Sequence, residues 1–554
     1  MDTLKPVFRY IQVIWLLFIC ASVLGQEMDD TELKSFSERV KAEDIRQHIA
    51  VLAHDSLKGR LPGTGEYDKA MAYVVDQYKE LGILPKGNKE GTSYYQELTI
   101  ITALVDEQAS FLIMNDRDTL RAGQDYFFIG NADAAVSAFN GELIFAGYGV
   151  EAPEYGFNDF SNMDVKNKVV AIMDGVPDIF PASERAYFGN LETKIRTLDE
   201  HGAAGMFFIL SPEVKAPFER IHANISKRGF KMVMMPSGKA SGTIAHGKNL
   251  KMGGIMNWDF AKKLIKDADT AWANYRDLKA GQIKFSKPNE LRGKVTSVST
   301  EIKSANVVGV LEGSSLKDEY VIHTAHLDHV GIGRPVEGDS IYNGAHDNAS
   351  GVSAMLEIAR LYSQLPSKPK RSVIFAAVTA EEMGLLGSRY LAANPTVDPG
   401  SIIANVNTDM PTLIAPIMSV EPLGAEQSSI MEVVERSTKL LGLTIDPDHA
   451  PEEVRFVRSD NYNFILEGIP ALRMKYGLKT KDSPTGLDSL ITAFTKKVYH
   501  QPSDELNETF DFEAGRTYVK LQFMNSYLIN YADKRPTWNH DSFFRRFKKD
   551  LSIH

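Results

Sequence analysis

The feature that most constrains this chain is Ala380-Glu381-Glu382-Met383-Gly384, which follows the apolar, β-branched run Arg371–Thr379. A run of that texture reads as a strand buried on both faces, of the kind found in parallel sheets covered by helices. Two adjacent carboxylates at its end are costly to bury unless a cation compensates them. Ligands of open α/β sheets bind at the carboxyl ends of strands. One carboxylate is therefore placed to bind a metal and the other to handle protons. Taken alone, the pair reads more simply as a solvated Glu-Glu at a helix start, where the helix dipole favours acids.

The neighbouring segments change that reading. Tyr320 to His326 is a second apolar strand and ends in the element His326-Leu-Asp328. Asn343 to Gly351 carries Asp347 and opens into a helix, in which Val352, Met355, Leu356, Ala359 and Tyr362 recur at helical spacing. Ile402 to Asp409 is a third strand that ends in an acid, and His500 lies in a proline-containing loop. The expected metal set is His326, Asp347, Glu382, Asp409 and His500. Imidazole and carboxylate together suit zinc. Two histidines and three carboxylates exceed what one tetrahedral catalytic zinc with an open position takes. They suit two ions with one carboxylate between them.

Five elements occur in order along the last part of the chain: His326-x-Asp328, Gly344-Ala-His-Asp347-Asn-Ala-Ser-Gly351, Glu381-Glu382-x-Gly384, Asn407-x-Asp409 and Tyr499-His500-x-Pro502-x-Asp504. The ordered set resembles the co-catalytic di-zinc aminopeptidase family, which also contains glutamate carboxypeptidases, a receptor-like branch and, more distantly, glutaminyl cyclases. The resemblance implies an α/β fold, with a mixed, mostly parallel sheet sandwiched by helices. It implies that two Zn2+ are bound per chain. His326 and Asp409 would hold one, Glu382 and His500 the other, and Asp347 would bridge them. Glu381 would be the general base, Asp328 would orient a ligand histidine, Tyr499 would help stabilise the oxyanion, and Asp504 would be a supporting acid. There are departures. His346 stands where relatives often carry an acid. Asn461 replaces a histidine in the substrate-loop element Arg458-Ser459-Asp460-Asn461-Tyr462. His323 and His329 read as structural or exposed imidazoles.

The activity this implies is that of a di-zinc exopeptidase, most simply an aminopeptidase acting on peptides. The two ions would lower the pKa of a shared water, and Glu381 would pass its proton to the leaving amine. A carboxypeptidase of the same family is one alternative. A glutaminyl cyclase-like acyltransferase with one zinc is another, but that type lacks the first histidine and His326 is present. A catalytically silent binding module would have lost ligands, and all five positions are filled.

Lys5, Arg9 and the apolar stretch Ile11 to Val23 read as a secretory signal cleaved near Gly25–Gln26. A secreted or periplasmic protein is expected, with lipidation at Cys20 as the second choice. Cys20 is the only cysteine, so the mature chain needs no disulfides. No other segment has the roughly 20 apolar residues of a membrane span. A formal net charge of −10 gives no electrostatic footprint for nucleic acid.

The length of 554 residues calls for more than one domain. The expected division is a signal at 1–25, a first peptidase segment at 26–121, a β-rich insert at 122–290, the main peptidase segment at 291–535 and a solvated basic tail at 536–554. In the first segment, Met71, Val74, Val75, Tyr78 and Leu81 share one helical face and Gly82 reads as a C-cap. Leu57-Lys-Gly-Arg60-Leu-Pro-Gly-Thr64 resembles the start of the peptidase domain. Gly- and Pro-rich loops between short strands make 122–290 resemble a protease-associated domain, a type of insert that acts as a lid or recognition module.

Overall fold

A computed structural model describes residues 27–548 apart from 212, 243–246, 271–272, 274–284 and 412. The expected signal, its cleavage point and Cys20 lie outside the described residues, as does the end of the basic tail.

The fold is α/β. Four parallel strands form its centre, in the spatial order Arg371–Val378, Leu316–His326, Ile402–Asn407, Ala471–Tyr476. Antiparallel strands flank them: Asn289–Leu311 beside Arg371–Val378, and Ser419–Leu423 beside Ala471–Tyr476. Every residue of Arg371–Val378 and of Ile402–Asn407 is buried, as the unbroken apolar runs require. Side chains alternate between two cores. Val321, Val373 and Phe375 pack with residues of the helices Ala42–Leu52, Gly65–Glu80, Ser350–Ser363 and Phe512–Tyr531. Ile322, Ile374 and Ala376 pack with residues of Leu386–Ala393 and Asn461–Leu466. The sheet is thus covered by helices on both faces. The Gly65–Glu80 helix is capped by Thr64, whose hydroxyl accepts from the Tyr67 N–H. Just past its end Gly82 takes φ +68°, a left-handed turn that glycine makes without a steric penalty.

Of these four strands, the first in chain order, Leu316–His326, sits between the second and the third. The chain therefore winds away from it in both directions, and the carboxyl ends of these strands open into a crevice. His326 ends the first strand, Glu381 and Glu382 follow the second, and Asp409 follows the third.

A second sheet holds Val136–Phe145, Val169–Met173, Gly205–Ile209 and Met252–Met256 as parallel neighbours, with Tyr126–Ile129 antiparallel at one edge. The 23-residue strand Asn289–Leu311 joins the two sheets. Its start pairs with Val136–Phe145, its middle with Tyr95–Val105 and its end with Arg371–Val378. Phe111–Met114, ahead of residue 122, pairs with that strand, and Phe230–Met234 adds to the free edge of Tyr95–Val105.

The basic tail departs from expectation. Trp538 Nε1 donates to the Gly468 carbonyl at 3.0 Å. Phe543 and Phe544 are buried, and Arg546 lies 3.8 Å above the Phe543 ring and pairs with Glu154. The reason is that Phe543, Phe544 and Phe547 interleave the charges. These rings join Tyr155, Tyr187 and Phe456 in an aromatic cluster that spans both sheets' layers. As far as it is described, this segment is a docked strap rather than a solvated tail.

Candidate metal centre

His326 sets the geometry of the site. Its Nδ1 lies 3.2 Å from the Asp328 carbonyl oxygen. An Nδ1–H donated there leaves the Nε2 lone pair free. That Nε2 faces Asp347 Oδ1 at 3.1 Å and Asp409 Oδ1 at 3.7 Å. The other oxygen of Asp347, Oδ2, lies 3.0 Å from His500 Nε2, and Glu382 Oε2 lies 3.2 Å from the same nitrogen. The five expected ligand residues, drawn from five chain segments, therefore meet at one place. Donor atoms of His329, Asp347, Glu382 and His500 lie within 4.8 Å of one another, as do those of His326, Glu381 and Asp409.

The surroundings fix these side chains. Asp504 accepts from the Asp347 N–H at 3.0 Å through Oδ2 and from the His346 N–H at 2.9 Å through Oδ1. Asn348 accepts from the N–H groups of Gly351 and Met410, both at 3.0 Å, and donates to the Thr408 carbonyl. It thereby ties the Asp347 loop to the Asp409 loop. Asp409 Oδ2 accepts from Arg473 at 2.8 Å and from Ser459 at 2.5 Å, which turns Oδ1 toward His326.

Asp328 acts differently from expectation. Among the described residues its carboxylate makes no hydrogen bond to the His326 imidazole. It accepts from the backbone N–H of Glu381 at 3.1 Å and of Glu382 at 3.3 Å, while its main-chain carbonyl receives His326. Burial lifts this carboxyl to about 7.

The electrostatics suit a cation. Four carboxylates gathered in a water-poor crevice repel one another and resist desolvation. Burial opposes charge on His326, yet Glu381, Asp347 and Asp409 push its pKa well above the ordinary range. Burial likewise opposes charge on His500, and Asp347 and Glu382 lift it to about 10. Imidazoles driven toward the cationic form by their neighbours mark a place built for positive charge. Nitrogen and oxygen donors of this kind fit zinc.

Glu381 follows the second strand and shares the group of His326 and Asp409. Burial and its neighbours Glu382, Asp409 and Asp460 raise its pKa well above the carboxylate range, despite the opposing pull of His326. Tyr499 stacks on His500 with ring centroids 3.9 Å apart. Burial, followed by Asp347 and Glu382, pushes its phenol far up, so the O–H stays protonated. Glu381, Tyr499, His326, Asp347 and Asp409 line one cavity of about 570 Å³, whose far wall carries Arg458, Lys475 and Phe494.

Some residues of the site were not singled out from the sequence. His329, read as structural or exposed, is fully buried with Nδ1 2.7 Å from Glu382 Oε1. Arg60 is fully buried and donates to the carbonyls of Leu52, Leu327, Asn343 and Gly344, so it ties the segment around residue 60 to the loops after His326 and before Asp347. Arg473 and Lys475 sit in an otherwise apolar strand, which is a sequence signal for paired charge. His323 is a core imidazole, as expected. It shares a hydrogen bond of 2.7 Å with Ser526 and stacks on Phe375.

A carboxylate offering one oxygen to each of two histidines, beside acids that follow parallel strands, defines a candidate metal centre in an α/β domain. Residues 306–519 match the model of peptidase family M28, and the chain carries a domain of that family. A protein named "Probable zinc metalloprotease" from Pyricularia oryzae is 30% identical over 135 residues, 24% of this chain and 26% of that protein. "Aminopeptidase NAALADL1" of Rattus norvegicus is 40% identical over 89 residues, 15% of this chain and 10% of that protein. The chain thus spans about a quarter or less of the length of these relatives. Among solved structures, an aminopeptidase from Aneurinibacillus sp. strain AM-1 aligns with a TM-score of 0.49 at 18% identity, covering 89% of this chain and 95% of that one.

Proposed function

We propose that the protein is a secreted di-zinc aminopeptidase that removes residues from the N-termini of peptides. The observation that carries this is the position of Asp347, with Oδ1 3.1 Å from His326 Nε2 and Oδ2 3.0 Å from His500 Nε2. His326 and Asp409 would hold one zinc, Glu382 and His500 the second, with Asp347 shared. Zinc in such a pair supplies Lewis acidity and makes water ionise near neutral pH.

The chain's own residues do the rest. Glu381, whose carboxylate form bound cations would favour, accepts a proton from the attacking water and delivers it to the leaving amine. Tyr499, kept protonated by burial, donates its O–H to the developing oxyanion. Asp328 holds the backbone of the Glu381–Glu382 pair, so base and ligand keep a fixed spacing. A free α-amine placed near Glu382 and Asp347 selects chain ends over internal bonds. The likeness to a relative named as an aminopeptidase supports the choice of terminus. The N-terminal pattern of Lys5, Arg9 and Ile11 to Val23 supports secretion, and the residues around 122–290 are proposed to act as a lid over longer peptides.

The test is hydrolysis of a panel of aminoacyl chromogenic substrates, blocked peptides and C-terminal dipeptides, with and without chelator. Release of N-terminal residues that stops on chelation and returns with zinc is expected. Cleavage of N-blocked peptides from the C-terminus would make the carboxypeptidase reading the correct one.

A further inference from the structure

The two carboxylate oxygens of Glu382 face different histidines. Oε2 lies 3.2 Å from His500 Nε2, and Oε1 lies 2.7 Å from His329 Nδ1. His500 belongs to the metal set already described, whereas His329 does not. Both atoms are closed off from water, neither makes a hydrogen bond of regular geometry among the described residues, and the ring's Nε2 is likewise buried and unpaired. A buried imidazole N–H and a buried carboxylate oxygen are each costly to leave unpaired. Here the two face each other at 2.7 Å.

The ring is also held in place. Gly344 takes φ +61°, and a Cβ there would lie 2.6 Å from the His329 ring and 2.1 Å from the Asp347 carbonyl oxygen. On the other side the His500 ring meets it edge-on, with centroids 5.5 Å apart. The glycine in Gly344-Ala-His-Asp347 therefore makes room for His329 as well as for the turn.

We propose that His329 is a positioning residue. Its Nδ1–H donates to Glu382 Oε1, and this leaves Oε2 as the single oxygen that Glu382 offers to an ion shared with His500. The inference rests on the two-zinc reading. Its consequence is coordination chemistry. Catalytic zinc keeps an open position for water or substrate, and a glutamate free to turn both oxygens to the ion would fill that position. Residues that orient ligands this way typically change metal affinity or activity by about 10–100-fold when removed.

The experiment compares His329→Phe, which keeps bulk without a donor, with His329→Asn, which restores an N–H. Zinc content is measured by elemental analysis, and zinc affinity by competition with a chromophoric chelator. The absorption spectrum of the cobalt-substituted protein reports coordination number. His329→Phe is expected to hold two ions at saturating zinc, to bind one of them about 10–100-fold more weakly and to show weaker cobalt d–d bands. His329→Asn should recover most of the affinity and the spectrum. If His329→Phe does not fold, His329→Leu supplies the donor-free arm. Unchanged affinity and spectrum in both variants would overturn the proposal in favour of core packing. A single ion in both variants at any zinc concentration would overturn it in favour of His329 as a direct ligand. Wild-type protein without stoichiometric zinc would instead refute the two-zinc reading, which the wild-type arm tests separately.

Discussion

The Asp328 carboxylate, just past the end of one strand, accepts a hydrogen bond at 3.1 Å from the backbone N–H of Glu381, just past the end of its parallel neighbour. Its second oxygen takes the Glu382 N–H at 3.3 Å. One acid therefore sets the backbone of both the proposed base and a proposed metal ligand. Asp328→Asn retains one acceptor and presents an amide where the other was. We expect activity or zinc affinity to fall by about 10–100-fold with little change in unfolding temperature. The check is kcat/KM together with zinc content.

Glu381 and Glu382 are adjacent in sequence and are proposed to have separate roles. Glu381→Gln should keep zinc and substrate binding while kcat falls by about 10²–10⁴-fold. Glu382→Gln should lose zinc. Elemental analysis and steady-state kinetics on both variants decide the assignment, and reversed behaviour would exchange the roles.

The strap at the C-terminus should matter to substrate binding. Phe544 is fully buried, 5.0 Å from Phe456 in ring centroids. Phe456 lies in the loop that brings Glu453, Arg455 and Arg458 to the cavity wall. Phe544→Ala removes a core ring, at a cost of about 3–5 kcal/mol. Chemical denaturation should show that loss. Kinetics on the folded variant should show KM rising more than kcat falls, because the metal ligands lie on other segments.

Acid should weaken the fold through His323. Burial pushes this imidazole down to about 3, so the folded protein keeps it neutral. The unfolded chain takes up the proton near pH 6.5. The stability it contributes is complete above about pH 6.5 and is lost as the pH falls toward 3, by about 1.4 kcal/mol per unit. Between pH 6.5 and 5, His323→Leu should show a shallower fall in denaturant midpoint than wild type. Equal slopes would mean that other groups govern acid unfolding.

His326, Glu382 and Asp409 were legible as candidate ligands because each closes or follows a largely apolar strand, whereas Asp347 and His500 lie in loops and were placed by the resemblance. An ionisable group in such a place has no bland explanation once several coincide. His329 was not legible in the same way. It follows the strand in a glycine-containing turn, where an exposed imidazole is ordinary, and only the fold brings Glu382 against it. The Asp328 contact was anticipated in kind but not in partner, since sequence spacing cannot tell a carboxylate from the main-chain carbonyl of the same residue. The strap was misread because Arg545, Arg546, Lys548 and Lys549 dominate its composition, while burial is decided by the phenylalanines between them.

The central claim is that Asp347 lies between two ions, and zinc stoichiometry tests it most directly. Protein purified without chelator should carry about two zinc ions per chain. His326→Ala and His500→Ala should each reduce that to about one, and Asp347→Asn should weaken both sites together. A wild-type protein with one zinc, or an Asp347→Asn variant that loses only one of two, would contradict it.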